Sequence, residues 1–166
     1  MPIRTFALSV VVTAVSAGAA WADSGPIAHR ADITLSAANQ LLDATLAACH
    51  RDGRTGVAAI VDRSGNLVAL QRDDNVGPHN TVAAQRKAFT ALSTKTPTGA
   101  FAERARSNPD TQNLNTLDEL LLLGGGIPLK VGNDVVGAIG VAGTGGGASD
   151  EGCAREAMAK ILSNTK

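Results

Sequence analysis

The stretch VVGAIGVAGTGGGASDEG, residues 135–152, decides which fold this chain can adopt. Within it, GTGGGA at 143–148 matches the G-x-G-x-x-G/A pattern of a dinucleotide-binding loop and follows a strand-like apolar run. In a dinucleotide-binding domain this loop belongs to the first βαβ unit, and a further strand with an acidic residue follows about 20 positions later. Here the loop follows the last strand-like run, and only residues 149–166 come after it. A dinucleotide site is therefore not predicted, and no Lys-Ser/Thr follows the glycines to make a P-loop.

The glycines of this stretch have a structural explanation instead. Gly137, Gly140 and Gly143 permit close packing or bulges, and Gly145–Gly147 form a flexible connection to the last helix. The exposed amides of that connection can also form part of a pocket rim.

The other predicted elements are joined by local turns. Residues 57–62, VAAIVD, and 66–72, NLVALQR, are strand-like runs on either side of Arg63-Ser64-Gly65, which predicts a β-hairpin. Two or three further strands are predicted within 119–131 and 135–143, and a loop is predicted at 107–116. Helices are predicted from Thr34 or Ser36 to His50, from Thr81 to Ser93, after Pro97, and from Ser149 to Leu162. Strands joined by hairpins indicate an antiparallel sheet in an α/β (α+β) fold.

Composition limits the kinds of partner. The chain of 166 residues is 44% hydrophobic and 18% charged, which is typical of one soluble globular domain. Its 15 basic and 15 acidic side chains form no block of one sign, so neither nucleic acid nor an anionic membrane is predicted as a partner. Aromatic residues make up only 2% of the chain, so a pocket would be lined by aliphatic groups and backbone.

The N-terminus predicts export. Residues 1–22 contain a positive Arg4, an apolar run and an Ala20-Trp21-Ala22 cleavage site, as in a signal peptide. Cleavage before Asp23 would give a periplasmic or extracellular protein without a membrane span, with a flexible segment at 23–32 and a single domain at 33–166. In an oxidising compartment Cys49 and Cys153 can pair, which would stabilise the fold by up to roughly 4 to 5 kcal/mol. Two separate buried thiols are the alternative.

Four runs of sequence together resemble the GlcG/HbpS family, which includes the C-terminal domain of PduO-type proteins. They are VDRSGNLVALQRDD, GPHNTVAAQRKAFTALSTKTPT, LLLLGGGIPLKVGNDVVGAIGVAG and DEGCAREAM, and the resemblance spans about residues 33–163. It implies a profilin-like three-layer sandwich, in which a five-stranded antiparallel sheet has helices on both faces. It also implies homo-oligomers, often octamers, and binding of haem or a corrinoid. Secreted members are linked to haem degradation, iron binding and redox sensing, and GlcG-like members to glycolate metabolism.

Haem would bind here without a covalent link, because the chain has no C-x-x-C-H motif. The candidate axial ligands are His79, which precedes a helix, and Thr90, Thr96 and Thr98, because the resemblance implies a threonine oxygen near the end of the RKAFTA helix. A surface turn is the alternative for His79, and His29 and His50 are interpreted as solvated surface residues. Arg86, Lys87, Arg104 and Arg106 are candidates to pair with the propionates, and Phe89 and Phe101 to contact the porphyrin. For these the alternatives are a solvated helix face and the core.

These observations predict an exported haem-binding carrier or sensor. The alternative is an accessory protein or enzyme for a small organic acid of the glycolate type, or for corrinoid metabolism. Whether the protein is an enzyme stays open, since neither G-x-S-x-G nor H-E-x-x-H occurs.

Overall fold

The computed structural model of the protein describes residues 26–162. The predicted signal peptide and its cleavage site lie outside the described residues. Of the described residues, 31–162 belong to one compact unit. Its long helices are α1 (Leu35–Arg51), α2 (His79–Thr94), α3 (Thr98–Ser107) and α5 (Gly147–Ile161), and its strands are β1 (Val57–Asp62), β2 (Leu67–Arg72), β3 (Gly126–Val131) and β4 (Asp134–Ala142). A short helix α4 (Pro109–Gln112) and a 3-10 turn (Asn113–Thr116) occupy most of the predicted loop.

The strands form one antiparallel sheet in the order β2-β1-β4-β3. Both hairpins pair as the local turns predicted, and β1 also pairs with β4 in an antiparallel register that sets Val57 opposite Ala142. The prediction of a mixed α/β fold with an antiparallel sheet is confirmed. The prediction of five strands is wrong, because the described residues form four. The profilin-like classification stays a prediction.

Residues 119–125 do not form the additional strand, because side chains of helices bind their backbone. Arg86 Nη2 donates to the carbonyl of Leu120 at 2.5 Å, and the Leu121 amide donates to Thr90 Oγ1 at 2.8 Å. The amide of Gly125 donates to Glu151 Oε1 at 3.4 Å. Backbone groups that are satisfied in this way have no need of a strand partner.

Helices cover both faces of the sheet. The first core lies on the face covered by α1 and α5, where Leu41, Leu42, Ile60, Leu129 and Ile139 are fully buried. Thr34 caps α1, since its Oγ1 accepts from the Ala37 amide at 3.2 Å. The structure also joins α1 to α5 through a disulfide between Cys49 and Cys153, whose Cα atoms are 5.3 Å apart.

Helix α2 packs unusually close to the opposite face. A Cβ on Gly140 of β4 would lie 2.0 Å from the carbonyl oxygen of Ala84, and one on Gly126 of β3 would lie 2.2 Å from that of Lys87. Neither glycine has room for a side chain, so the predicted role of Gly140 in close packing is confirmed. This approach places Lys87 beside the end of β4, immediately before the glycine loop.

Candidate functional site

A cleft forms where the start of α2, the segment at 123–124 and the glycine loop at 143–147 meet. Its volume is about 430 Å³. We call it the glycine cleft, and its lining residues are His79, Asn80, Lys87, Leu123, Gly124, Gly143, Gly145, Gly146, Gly147 and Asp150. The imidazole of His79 is exposed at this cleft, at the first residue of α2.

A buried ion pair forms the inner wall of the glycine cleft. Lys87 Nζ lies 2.7 Å from Asp150 Oδ2, and the two side chains are 7% and 2% exposed. Lys87 Nζ also donates to the carbonyl of Val141 at 3.0 Å. The other carboxylate oxygen of Asp150 accepts from the amide of Thr144 at 3.0 Å and from its hydroxyl at 2.7 Å. Asp150 therefore connects the start of α5 to both α2 and the glycine loop.

The glycine loop lines this cleft. Gly143, Gly145 and Gly146 have φ angles of 97°, 103° and 131°, a region that side chains disfavour. Helix α5 begins directly after this loop, and Gly146 provides no side-chain cap. Within residues 26–162, the amides of 145–149 have no hydrogen-bond acceptor. Amides in this arrangement, at the start of a helix, favour an anionic ligand atom.

A second cavity of about 340 Å³ adjoins the glycine cleft, since both are lined by Leu123, Gly124 and Gly147. Ala100, Ala102 and Arg106 of α3 line its far side. The Leu123 side chain is 57% exposed between the two cavities. We call the two cavities together the glycine groove. It has an imidazole toward one end, apolar side chains in the middle and a guanidinium at the other end.

The structure brings only some of the predicted site residues together. His79 and Lys87 line the glycine cleft, and Arg106 lines the adjoining cavity. Arg86 and Phe89 line a separate cavity of about 240 Å³ with Glu119. Arg104 lies over the Phe101 ring at 5.5 Å and donates to Thr96 Oγ1 at 3.4 Å. The predicted haem contacts are thus divided among three places.

All three predicted threonine ligands already have hydrogen-bond partners within the fold. Thr90 Oγ1 donates to the Arg86 carbonyl at 2.8 Å and accepts from the Leu121 amide, while Thr98 Oγ1 accepts from the Gly126 amide at 2.8 Å. Both residues are fully buried. Their roles at haem iron stay predictions, as does that of Thr96, whose hydroxyl donates to the Thr94 carbonyl at 2.9 Å.

Sequence reasoning missed Asp150 and Thr144. The sequence did indicate that Lys87, the ion-pair partner of Asp150, would be buried. Lys87 shares a helix face with Ala84, Ala88 and Ala91, and all four residues are buried. A lysine on an alanine-rich core face needs a buried acceptor. Nothing in the local sequence identifies Asp150 as that acceptor, since acidic residues in the first turn of a helix are common on the surface.

No group of three or more His, Cys, Asp or Glu side chains in residues 26–162 is placed to hold a metal ion. Asp73 accepts from the Gly56 amide at 2.8 Å and pairs with His50 Nε2 at 2.9 Å. No helix of the described part is long and apolar enough to cross a membrane.

Comparison with known proteins defines the family. Residues 33–159 match the family described as "Haem degrading protein HbpS-like", and the chain belongs to this HbpS-like family. The crystal structure of HbpS superposes on this chain with a TM-score of 0.77 and a sequence identity of 37%. The superposition covers 85% of this chain and 98% of the HbpS chain. A complex of PduOC with heme has the same fold, with 23% identity and a TM-score of 0.70 over 78% of this chain and 95% of PduOC. GlcG of Escherichia coli K12 is 34% identical over 83 residues, which are 50% of this chain and 60% of GlcG.

Proposed function

We propose that this protein binds haem non-covalently in the glycine groove. The observation that carries the proposal is the position of His79, an exposed imidazole at a cleft that continues into a cavity lined by Leu123, Ala100 and Ala102 together with Arg106 and Glu151. Imidazole is a common axial ligand of haem iron, and haem, when bound, supplies iron-centred redox chemistry. Membership of the HbpS-like family and the heme complex of PduOC support the same ligand class.

The residues present fit a haem group. The two adjoining cavities, of about 430 and 340 Å³, fall in the size range of small-molecule sites, roughly 300 to 1,000 Å³. Leu123, Ala100 and Ala102 offer apolar surface to the macrocycle. Arg106 at the far end is a partner for one propionate, as the sequence predicted. His79 would bind iron, and His79 together with Lys87 and Arg106 would orient the group in the groove.

We also propose export, haem degradation or sensing, and homo-oligomer formation. Export is supported by the signal-peptide organisation of residues 1–22 and by the Cys49–Cys153 disulfide, because such bonds persist in oxidising compartments. Haem degradation, redox or iron sensing, and a homo-oligomer such as an octamer are implied by the family resemblance. A corrinoid ligand has no support beyond that resemblance.

A haemin titration of the purified mature protein tests the proposal. We expect a saturable, shifted Soret band at micromolar haemin, and we expect His79→Ala to move the band and weaken binding. His29→Ala is the matched control, because His29 is also exposed but lies before the domain. If the wild-type protein gives no saturable band, haem binding is wrong. If His79→Ala and His29→Ala both match the wild type, only the assignment of His79 is wrong.

Binding of a small organic acid is the second candidate. It is favoured by the free amides of the glycine loop, which suit a carboxylate, and by the similarity to GlcG. A thermal-shift screen distinguishes the two candidates, since a ligand stabilises only the state that it binds. A rise in melting temperature with glycolate but not with haemin would favour the organic acid.

A further inference from the structure

The inner end of the glycine cleft has more hydrogen-bond donors than acceptors. An ammonium group has three protons to donate, and Lys87 Nζ uses one on Asp150 and one on the carbonyl of Val141. Within the described part of the chain, no acceptor is in range for the third proton. The Lys87 side chain is only 7% exposed and lines the cleft, so a ligand bound in the cleft can accept that proton.

The surrounding wall adds further donors and no free carboxylate. Gly145, Gly146 and Gly147 line the same cleft, and their amides have no acceptors among residues 26–162. Asp150 is the one carboxylate among the lining residues, and both of its oxygens already accept hydrogen bonds from Lys87 and Thr144. A ligand oxygen would therefore meet donors here rather than a repelling charge.

Stability alone does not explain why Lys87 and Asp150 form a buried ion pair. Apolar side chains of similar volume often stabilise a fold as well as a buried ion pair does, because removing two charges from water is costly. At the wall of a cleft the pair has another use. Asp150 holds Lys87 in place as its ion-pair partner, and Lys87 still has one proton to donate to a ligand.

We propose that the inner end of the glycine cleft binds a single carboxylate group. One oxygen would accept from Lys87 Nζ and the other from the amides of Gly145–Gly147. A carboxylate fits better than a doubly charged phosphate, because the charges of Lys87 and Asp150 cancel and leave little net positive charge. The carboxylate comes either from a propionate of haem or from a free organic acid. If it is a propionate, the inference rests on the proposed haem binding; if it is an organic acid, the inference is independent of haem binding.

The first experiment compares haemin with haemin dimethyl ester, whose propionates carry no charge. We expect the wild-type protein to bind haemin more tightly than the ester, with about tenfold of that preference due to the one charge-assisted hydrogen bond at Lys87 and the rest to the propionate at Arg106. In the double variant Lys87→Met/Asp150→Asn the preference should fall by about tenfold, to the part that Arg106 contributes. The double variant is used because Lys87→Met alone would leave Asp150 buried without a counter-charge. Lys160→Met, on the exposed face of α5, is the control and should keep the preference.

The second experiment uses acetate as a free carboxylate. We expect millimolar acetate to shift the amide resonances of Gly145, Gly146 and Gly147 in the ligand-free wild-type protein. The double variant should show no such shift, and circular dichroism will establish that it is folded.

The outcomes separate the two proposals. A preference for haemin over its ester that falls in the double variant identifies a propionate as the carboxylate at Lys87, and an acetate shift without any haemin binding supports the site while contradicting haem binding. If the double variant keeps the wild-type preference and acetate shifts none of the three amides, the carboxylate site is wrong and haem binding stands.

Discussion

The turn between β1 and β2 and the glycine loop before α5 use their backbone amides in opposite ways. In the first turn, Asp62 Oδ1 accepts from the amides of Ser64 and Asn66, both at 2.8 Å, and Oδ2 accepts from the side chain of Asn66 at 3.0 Å. In the second, Asp150 has its carboxylate turned inward to Lys87 and Thr144. The amides of 145–149 are left without acceptors in the described part of the chain.

The difference separates a turn that stabilises the fold from one that is prepared for a ligand. A carboxylate that binds its own turn satisfies the local donors and leaves nothing for a partner. A carboxylate that binds a distant lysine orders the loop while the loop amides stay available. Three substitutions test this contrast, in order of decreasing expected effect on stability.

Asp150→Ala should have the largest effect. It leaves Lys87 charged and buried without a partner, and breaking a buried pair in this way costs about 3 to 5 kcal/mol. Chemical denaturation measures the free energy of unfolding. The double variant Lys87→Met/Asp150→Ala should recover most of the loss, because no uncompensated charge remains. A loss below about 1 kcal/mol in the single variant, typical of a solvated surface ion pair, would show that Asp150 does not hold the loop.

Gly146→Ala should have an intermediate effect. A Cβ at Gly146 meets no atom within 4 Å, so the cost comes from its φ of +131° alone, and we expect about 1 to 2 kcal/mol. Gly152→Ala is the matched control, since its Cβ also meets nothing within 4 Å but the residue lies inside α5. That control should be neutral or stabilising by up to about 1 kcal/mol. Equal melting temperatures for the two variants would contradict the strained conformation of the loop.

Asp62→Asn should have the smallest effect, about 1 kcal/mol, because the side chain is partly exposed and Asn keeps an acceptor. Partial burial acts to raise the pKa of Asp62, but hydrogen bonds from Asn66, Ser64 and Gly65 together lower it below its ordinary value. A carboxyl with a lowered pKa stabilises the fold above the unfolded-state pKa, about 3.9, and this contribution is lost as the pH falls through the folded-state pKa. Denaturation from pH 7 to pH 2 should show that loss in the wild type and a smaller one in Asp62→Asn. If the free energy of unfolding changes with pH in the same way in both proteins, Asp62 does not stabilise the fold through a lowered pKa.

Much of the fold was predictable from local sequence. Both hairpins, their antiparallel pairing and the long helices follow from turn residues and apolar periodicity, and the structure confirms them. The fifth strand was not predictable in the same way. The run at 119–125 is apolar enough for a strand, but Arg86, Thr90 and Glu151 bind its backbone, and all three lie on distant helices.

The candidate site was predictable only in part. His79 and Lys87 were predicted from their residue types and their place on a helix, and both line the glycine cleft, while their roles stay predictions. Arg86, Thr90 and Thr98 were equally reasonable candidates, yet the structure uses their polar groups to bind segment 120–121 and the start of β3. Residue type indicates what a side chain can bind, whereas packing decides whether it is still free to do so.

The sequence by itself determined the two antiparallel hairpins, because each of their tight turns is encoded by residues next to each other in the chain. The sequence also determined that the loop before α5 would be open, since Gly145 and Gly146 provide no side chains. The pairing of β1 with β4 that joins the hairpins into one sheet was decided by the tertiary structure. Only the tertiary structure decided that Lys87 would meet Asp150, 63 positions away. That meeting depends on the close approach of α2 to Gly126 and Gly140, and such an approach is set by contacts between distant segments rather than by any local pattern.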